Sequence, residues 1–188
     1  MKLAILGSTK GTDLQAIIDA IKEGTLDAEI AVVISNKQDA YILERAKNHN
    51  IPTLFIDQKN KTREQFDQDI LTALEQYKPD LILLIGYMRI LSPLFVRAYK
   101  DRILNVHPSL LPAFAGGMDM NVHQAVVESG VKETGCTVHL VDEGVDTGKI
   151  LVQKKCAVDP NDTAETLKEK VQKLEGEAFV EAIKQFIL

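Results

Sequence analysis

The chain has 188 residues, of which 45% are hydrophobic and 26% are charged, proportions typical of a single globular domain with an ample core. The formal net charge of -5 argues against nucleic acid as a main partner, because proteins that bind it carry basic surfaces. No apolar run is long enough to cross a membrane, and the first one is too short for a signal peptide. We therefore expect a cytoplasmic protein, a monomer or a homodimer, whose partners are small molecules.

Continuous apolar runs predict strands buried on both faces at residues 3–6, 30–34 and 81–85. A shorter run at 53–56 predicts a further strand, and another leads through Ile103 and Leu104. Helical segments separate these strands. The alternation predicts an α/β fold with an open, mostly parallel twisted sheet, Rossmann-like, and with helices on both faces.

Apolar residues at helical spacing predict two helices in the first half of the chain. These residues are Leu14, Ile17, Ile18 and Ile21 in the first helix, and Phe66, Ile70, Leu74 and Tyr77 in the second. Capping boxes at Thr12 with Gln15 and at Thr62 with Gln65 predict where both helices begin.

The sequence pattern of the second half of the chain predicts an antiparallel extension of the sheet, followed by a long helix. A flexible connection over residues 113–120 precedes a short helix near 122–129. Strands at 134–141 and 150–158 form the predicted hairpin, and apolar spacing predicts a terminal helix over 163–188. Cys136 and Cys156 have neither metal-type spacing nor a secretory context, so we expect two buried thiols in a reducing compartment.

The segment 105–112 (NVHPSLLP) is the strongest indication of chemistry. Alternation along an extended segment points Asn105 and His107 to the same side, and Pro108 disfavours helical geometry at His107. An amide and an imidazole that converge on one small group are suited to oxyanion stabilisation and acid/base work. Both follow a predicted parallel strand, where ligands bind in open α/β sheets.

The first turn, residues 7–12 (GSTKGT), follows a buried strand and opens a helix. Its amides and the helix dipole could hold a phosphate. The turn matches neither the GxGxxG nor the GxxxxGK[ST] motif, and a tight turn needs glycine for structural reasons as well. Lys10 is compatible with a ligand contact or with a solvated side chain.

A second polar cluster, residues 142–148, places Asp146 on a turn between glycines. A carboxylate there could pair with His107, raise the pKa of the imidazole and favour its protonated form. Alternatively, Asp146 organises its own turn through hydrogen bonds to the backbone. His123 and His139 do not form a close ligand pair, so no metal site is predicted.

Together these segments resemble the 10-formyltetrahydrofolate-dependent formyltransferases. The resemblance extends over almost the whole chain and is carried by residues 105–112, by Gly135, Thr137, Val138 and His139, by Asp146 with Gly148, and by residues 14–18, 35–37 and 86–96. It implies formyl transfer from 10-formyltetrahydrofolate, as co-substrate, to the amine of glycinamide ribonucleotide in de novo purine (IMP) biosynthesis. It also implies catalytic roles for Asn105, His107 and Asp146, and it implies no metal.

The same resemblance implies which residues bind the two substrates. The substrate-binding residues are Gly11, Thr12 and Asp13 for the phosphate and Glu175 for the ribose; the folate-binding residues are Arg63, Arg89, Ile90, Leu91, Asn105, Val141 and Asp142. Residues 1–188 would form one domain, with a ribonucleotide-phosphate half near 1–100 and a catalytic and folate half near 101–188. Asp13 and Lys10 depart from the family's glycine-rich loop ending in Asn, so Asp13 would contact phosphate only through its backbone amide.

Three alternatives differ in the acceptor or in the presence of catalysis. A formyltetrahydrofolate hydrolase uses the same three residues and delivers water, but carries a regulatory segment ahead of this domain, and strand one here begins at Leu3. A methionyl-tRNA formyltransferase needs a further tRNA-binding domain and more basic surface. A non-catalytic folate or nucleotide-binding module could dispense with Asn105, His107 and Asp146, and all three are present.

Overall fold

The computed structural model describes residues 1–117 and 120–187. The strands are β1 (Lys2–Gly7), β2 (Glu29–Ser35), β3 (Thr53–Phe55), β4 (Leu81–Ile85), β5 (Ile103–His107), β6 (Glu133–Leu140) and β7 (Ile150–Ala157). The helices are α1 (Thr12–Lys22), α2 (Tyr41–Asn48), α3 (Arg63–Leu74), α4 (Pro93–Ala98), α5 (Met120–Ser129) and α6 (Ala164–Lys184).

All these strands join one sheet in the order β3-β2-β1-β4-β5-β6-β7. β1 to β5 pair in parallel, whereas β6 is antiparallel to β5 and β7 is antiparallel to β6. The open, mostly parallel sheet with an antiparallel C-terminal extension is confirmed. The chain leaves β1 toward β2 on one side and returns to β4 on the other, so a crevice opens at the carboxyl ends of β1 and β4.

β4 is apolar throughout, and β1 and β2 are apolar between their end residues, because these central strands contribute to a core on each face of the sheet. Leu3, Ile5 and Leu83 pack on one face, beneath α1, α2 and α6. Ala4, Leu6 and the residues of β4 that alternate with Leu83 pack on the other face, beneath α3 and α4. Alternate side chains of one strand thus enter different cores, as expected for a sheet covered on both sides.

The two predicted capping boxes have different outcomes. Thr62 caps α3 as predicted, since its hydroxyl accepts from the Gln65 N–H at 3.2 Å and the Gln65 side chain accepts from the Thr62 N–H at 2.9 Å. The box at Thr12 is wrong: Gly11 is the N-cap of α1, with φ 66° and no side-chain cap. A Cβ at Gly11 would lie 2.4 Å from Ile42 Cγ1, so contact with α2 and the left-handed backbone both favour glycine there.

The helix boundaries refine the sequence-based predictions. α3 ends at Leu74, before Tyr77, and α6 ends at Lys184, while residue 188 lies outside the described residues. α2 and the short α4 were not predicted. In the predicted flexible connection, residues 113–116 form turns, and residues 118 and 119 lie outside the description. Among the described residues, no helix has the length and apolar character that a membrane span requires.

Candidate active site

A cavity of about 470 Å³ opens where the carboxyl ends of β1, β4 and β5 meet. The predicted site residues that line it are Gly11, Thr12, Asp13, Arg89, Ile90, Leu91, Asn105, His107, Val141, Asp142, Asp146 and Glu175. Arg63 is the exception. It begins α3 at the surface, with its Nε 3.6 Å from Glu64 Oε1, so a role with the folate tail stays a prediction.

His107 is the last residue of β5, and its buried side chain has an oxygen beside each ring nitrogen. Nδ1 lies 3.2 Å from Asp146 Oδ2, and Nε2 lies 2.9 Å from the Phe114 carbonyl oxygen. A carbonyl can only accept, so Nε2 carries a hydrogen and donates it to Phe114. A second proton on Nδ1 would point at the Asp146 carboxylate. The site can therefore bind the protonated ring, the imidazolium, through both nitrogens.

The pKa of His107 nevertheless lies below its usual value, contrary to the sequence-based prediction. Burial of the ring lowers the pKa most, and the charge of His139 lowers it further. Asp146 and the Phe114 carbonyl both raise it, as predicted for the carboxylate, but they do not overcome burial. Desolvation disfavours the charged imidazole, so the free site favours neutral His107 more than an exposed histidine would.

Asp146 reaches this imidazole from the segment that joins β6 to β7. Its backbone is left-handed, with φ 56°, and Oδ2 also accepts a hydrogen bond from the Gly116 N–H at 2.8 Å. Burial opposes ionisation, but the hydrogen bonds from His139 and Gly116 and the charges of both histidines bring the pKa of Asp146 below its usual value. Asp146 is therefore a carboxylate beside His107.

Asp142, rather than Asp146, organises the turn in the way the alternative interpretation described. Its Oδ1 accepts from the Gly144 N–H at 3.0 Å and from the Thr147 hydroxyl at 2.6 Å. The turn is tight, because a Cβ at Gly148 would lie 1.7 Å from the Leu140 carbonyl oxygen. Asp142 thus fixes the segment that delivers Asp146.

His139 is a site residue that sequence reasoning missed. β6 pairs it directly with Asn105, and its Nε2 lies 3.2 Å from Asn105 Nδ2 and 3.5 Å from Asp146 Oδ1. Its Nδ1 lies 2.8 Å from the Leu140 carbonyl oxygen and donates to it, so Nε2 accepts from the Asn105 amide in the neutral ring and donates to Asp146 in the protonated ring. The family resemblance included His139 without giving it a role, and its place beside Asn105 follows from the register of β6 against β5, which was not predicted.

The turn between β1 and α1 presents backbone amides to the cavity. Helix N-termini have N–H groups without intrahelical partners, and no side chain caps α1. Ser8 fixes the turn from behind: its N–H donates to the Gly86 carbonyl at 3.1 Å and its hydroxyl donates to Asn36 Oδ1 at 2.6 Å. These amides can bind an anion without reorganising.

A neighbouring wall of the cavity is the segment from Tyr87 to Leu91, whose Met88 N–H donates to the Ser8 hydroxyl at 3.0 Å. The Arg89 guanidinium stacks over the Phe66 ring at 4.5 Å and bonds to Gln58. Ile90 is 45% exposed, which leaves an apolar side chain available at the cavity. An apolar wall with a fixed backbone is suited to a flat heterocycle.

The family model described as formyl transferase matches residues 1–183. This chain belongs to that family. The match includes the Asn105, His107 and Asp146 segments and both walls of the cavity.

Individual relatives of this formyl transferase agree with the family match. The chain is 44% identical to phosphoribosylglycinamide formyltransferase of Haemophilus influenzae, over 98% of this chain and 86% of that one. It is 46% identical to the trifunctional purine biosynthetic protein adenosine-3 of Gallus gallus, over 97% of this chain but only 18% of that protein. The chain thus spans less than a fifth of the trifunctional relative.

The fold of this formyl transferase also matches solved structures. Glycinamide ribonucleotide transformylase 1 of Symbiobacterium toebii superimposes with a TM-score of 0.95 at 41% identity, covering 99% of this chain and 87% of that one. Within the part of the chain that the structure describes, no group of three or more His, Cys, Asp or Glu side chains is placed to hold a metal ion. Cys136 is buried, Cys156 is half-buried, and both are free thiols.

Proposed function

We propose that this formyl transferase moves the formyl group of 10-formyltetrahydrofolate to the amine of glycinamide ribonucleotide, in de novo purine (IMP) biosynthesis. One observation carries the proposal: a single cavity contains the Asn105, His107 and Asp146 cluster and, at one end, the uncapped N-terminus of α1. The relatives named for this reaction support it. The reaction needs both features at once, since the acceptor carries a phosphate and the donor carries the reacting carbon.

The two substrates bind different parts of the cavity lining. The ribonucleotide phosphate binds the backbone amides at Gly11, Thr12 and Asp13, and Glu175 on α6 faces the ribose hydroxyls. The folate ring lies against Arg89, Ile90 and Leu91 on one side and Val141 and Asp142 on the other; these residues line the same cavity. The phosphate site belongs to the first half of the chain, and the reacting groups belong to the second.

The reaction proceeds by attack of the acceptor amine on the formyl carbon. The new C–N bond forms as the C=O electron pair moves to oxygen, and the Asn105 amide and His107 stabilise that oxyanion. Because the His107 Nε2–H donates to Phe114 O in this structure, the formyl oxygen takes over that hydrogen bond. The proton released by the attacking nitrogen passes to N10 of the folate as the C–N10 bond breaks, and His107 and Asp146 are placed to relay it.

The decisive experiment supplies the purified protein with 10-formyltetrahydrofolate, with and without glycinamide ribonucleotide. We expect formylated ribonucleotide and deformylated folate in equal amounts, and little reaction without the acceptor. Equal release of formate in both reactions would identify a hydrolase. Binding of both ligands without turnover would identify a non-catalytic module.

A further inference from the structure

We propose that Asp13 takes up a proton when the ribonucleotide phosphate binds, so that this chain binds its anionic substrate together with one proton. The inference rests on the proposed function, because it concerns the phosphate site of the same cavity. It assigns a role to the side chain of Asp13, which the reaction itself does not use.

The position of the Asp13 carboxyl is the first observation. Asp13 is the second residue of α1, lines the cavity beside the phosphate turn and is 5% exposed. Its Oδ1 is buried and accepts no hydrogen bond from the described residues. A buried carboxylate oxygen without a donor is costly, whereas a protonated carboxyl has a hydrogen to donate toward an oxygen in the cavity.

The surroundings of Asp13 bring a second carboxyl close to it. α6 passes so near that a Cβ at Gly176 would lie 3.9 Å from Asp13 Cα. The adjacent Glu175 is 8% exposed and lines the same cavity. Burial raises the pKa of Cys136 on β6 most, and the charges of Glu175 and Asp13 raise it further. Among the residues that the structure describes, the other ionisable groups around this end of the cavity are Lys10, His123, Cys136, Lys168 and Glu175.

The electrostatics of the site favour a neutral Asp13 once an anion arrives. Burial alone raises the pKa of Asp13 to about 7. A phosphate dianion beside it raises that pKa further, because like charges disfavour ionisation. By linkage, protonation strengthens phosphate binding by the same factor. A neutral Asp13 side chain also does not offset the positive end of the α1 dipole, so that end remains available to attract the phosphate.

The expected signature is an affinity for ribonucleotide that weakens as the pH rises above about 7, up to tenfold per pH unit. We would titrate glycinamide ribonucleotide by calorimetry at pH 8 in two non-phosphate buffers with different ionisation enthalpies. The wild type should take up close to one proton more than Asp13→Asn, whose amide cannot ionise. Ionisation of the ribonucleotide itself contributes equally to both proteins and cancels in this difference.

Asp19→Asn is the matched control, because Asp19 is an exposed carboxylate on the same helix. It should show the wild-type proton uptake. Equal proton uptake in wild type and Asp13→Asn would overturn the inference while leaving the proposed function intact, provided that formyl transfer is observed. Failure of the ribonucleotide to bind any of these proteins would overturn both.

Thermal unfolding gives a second readout that does not depend on the substrate. The folded-state pKa of Asp13 lies above the ordinary value, so its stabilising contribution is present at acid pH and is lost as the pH rises toward and through about 7. The melting temperature of Asp13→Asn should therefore exceed that of wild type by more at pH 8.5 than at pH 5.5. A difference that does not vary with pH would contradict a titrating Asp13.

Discussion

His107 is subject to two opposing effects, both set by its position at the end of β5. Burial lowers the pKa of the imidazole, and Asp146 at 3.2 Å opposes that effect without reversing it. The pKa of the imidazole therefore stays below its usual value, while the carboxylate beside Nδ1 supplies the contact that a protonated ring needs when negative charge develops on the formyl oxygen. Such a group stabilises the transition state more than the bound substrates.

Replacement of His107 by Ala should lower kcat by about 10²- to 10⁴-fold, as expected for the loss of a positioned acid/base group. The KM for ribonucleotide should change by less than about threefold, because the contact develops mainly in the transition state. Steady-state kinetics measures both values. His49→Ala is the control, since His49 contacts Gln15 and Lys22 outside the cavity. A His107→Ala variant with near wild-type kcat would exclude the assigned role.

Asp146→Asn should lower the pKa of His107 further, because it removes the negative charge beside Nδ1. Asn tolerates the left-handed backbone at this position, so the loop should keep its conformation. The His107 ring resonances, followed by NMR across pH 5–8, give the pKa directly. Asp101→Asn is a matched control, since Asp101 is exposed and also left-handed, with φ 60°. An unchanged or raised pKa in Asp146→Asn would contradict this electrostatic pairing.

Among the elements, the close packing of α1 on α6 brings Asp13 and Glu175 to one end of the cavity. Gly176 makes this possible, because a Cβ there would lie 2.5 Å from Ala16 Cβ. Both atoms are fixed to helix backbones, so a side chain at residue 176 would have to push the helices apart. Glycine in a helix costs about 1 kcal/mol relative to Ala. At residue 176 this cost is the consequence of the close approach of the two helices.

Gly176→Ala should destabilise the fold by about 1–3 kcal/mol, since overpacking outweighs the gain in helix propensity. It should also raise the KM for ribonucleotide, because α6 carries Glu175. Urea unfolding and steady-state kinetics test both. Adding Ala16→Gly removes the methyl group that clashes, so the double variant should be more stable than the sum of the two single changes predicts. Strictly additive effects would show that the two positions do not clash.

For the whole molecule, both halves of the chain contribute to one core. The hydrophobic cluster beneath α1 and α6 contains Leu3 and Leu14 from the first half and Val138 and Phe179 from the second. β4 and β5 pair directly across the boundary near residue 100. Neither half has a separate core on this face. The division into a ribonucleotide half and a catalytic half therefore refers to the positions of the binding and reacting residues, and not to separate folding units.

The chain should therefore unfold in one cooperative transition. Urea titrations followed by far-UV circular dichroism and by tyrosine fluorescence should coincide, since two-state unfolding makes different probes agree. Tyrosine is the natural fluorescent probe because the sequence contains four Tyr and no Trp. A separate fragment of residues 1–100 should remain largely unfolded. Two resolved transitions, or a folded fragment, would instead indicate two folding units.

Local patterns were sufficient for much of the architecture. The apolar runs predicted the parallel strands because a strand covered on both faces must be apolar on both faces. The spacing of Asn105 and His107 predicted two side chains on one side of a strand end, since alternation is a local property of extended backbone. The Thr62 box was correct for the same reason, because its partner lies three residues away.

Contacts between segments that are distant in sequence could not be predicted from local patterns and are seen only in the tertiary structure. The register of β6 against β5 places His139 beside Asn105, and the β6–β7 segment brings Asp146 to His107. Contact with Ile42 makes Gly11, and not Thr12, the cap of α1. Burial of His107 reverses the predicted direction of its pKa shift. Periodicity and caps depend on neighbours within a few residues, whereas registry, desolvation and close helix packing depend on the whole fold.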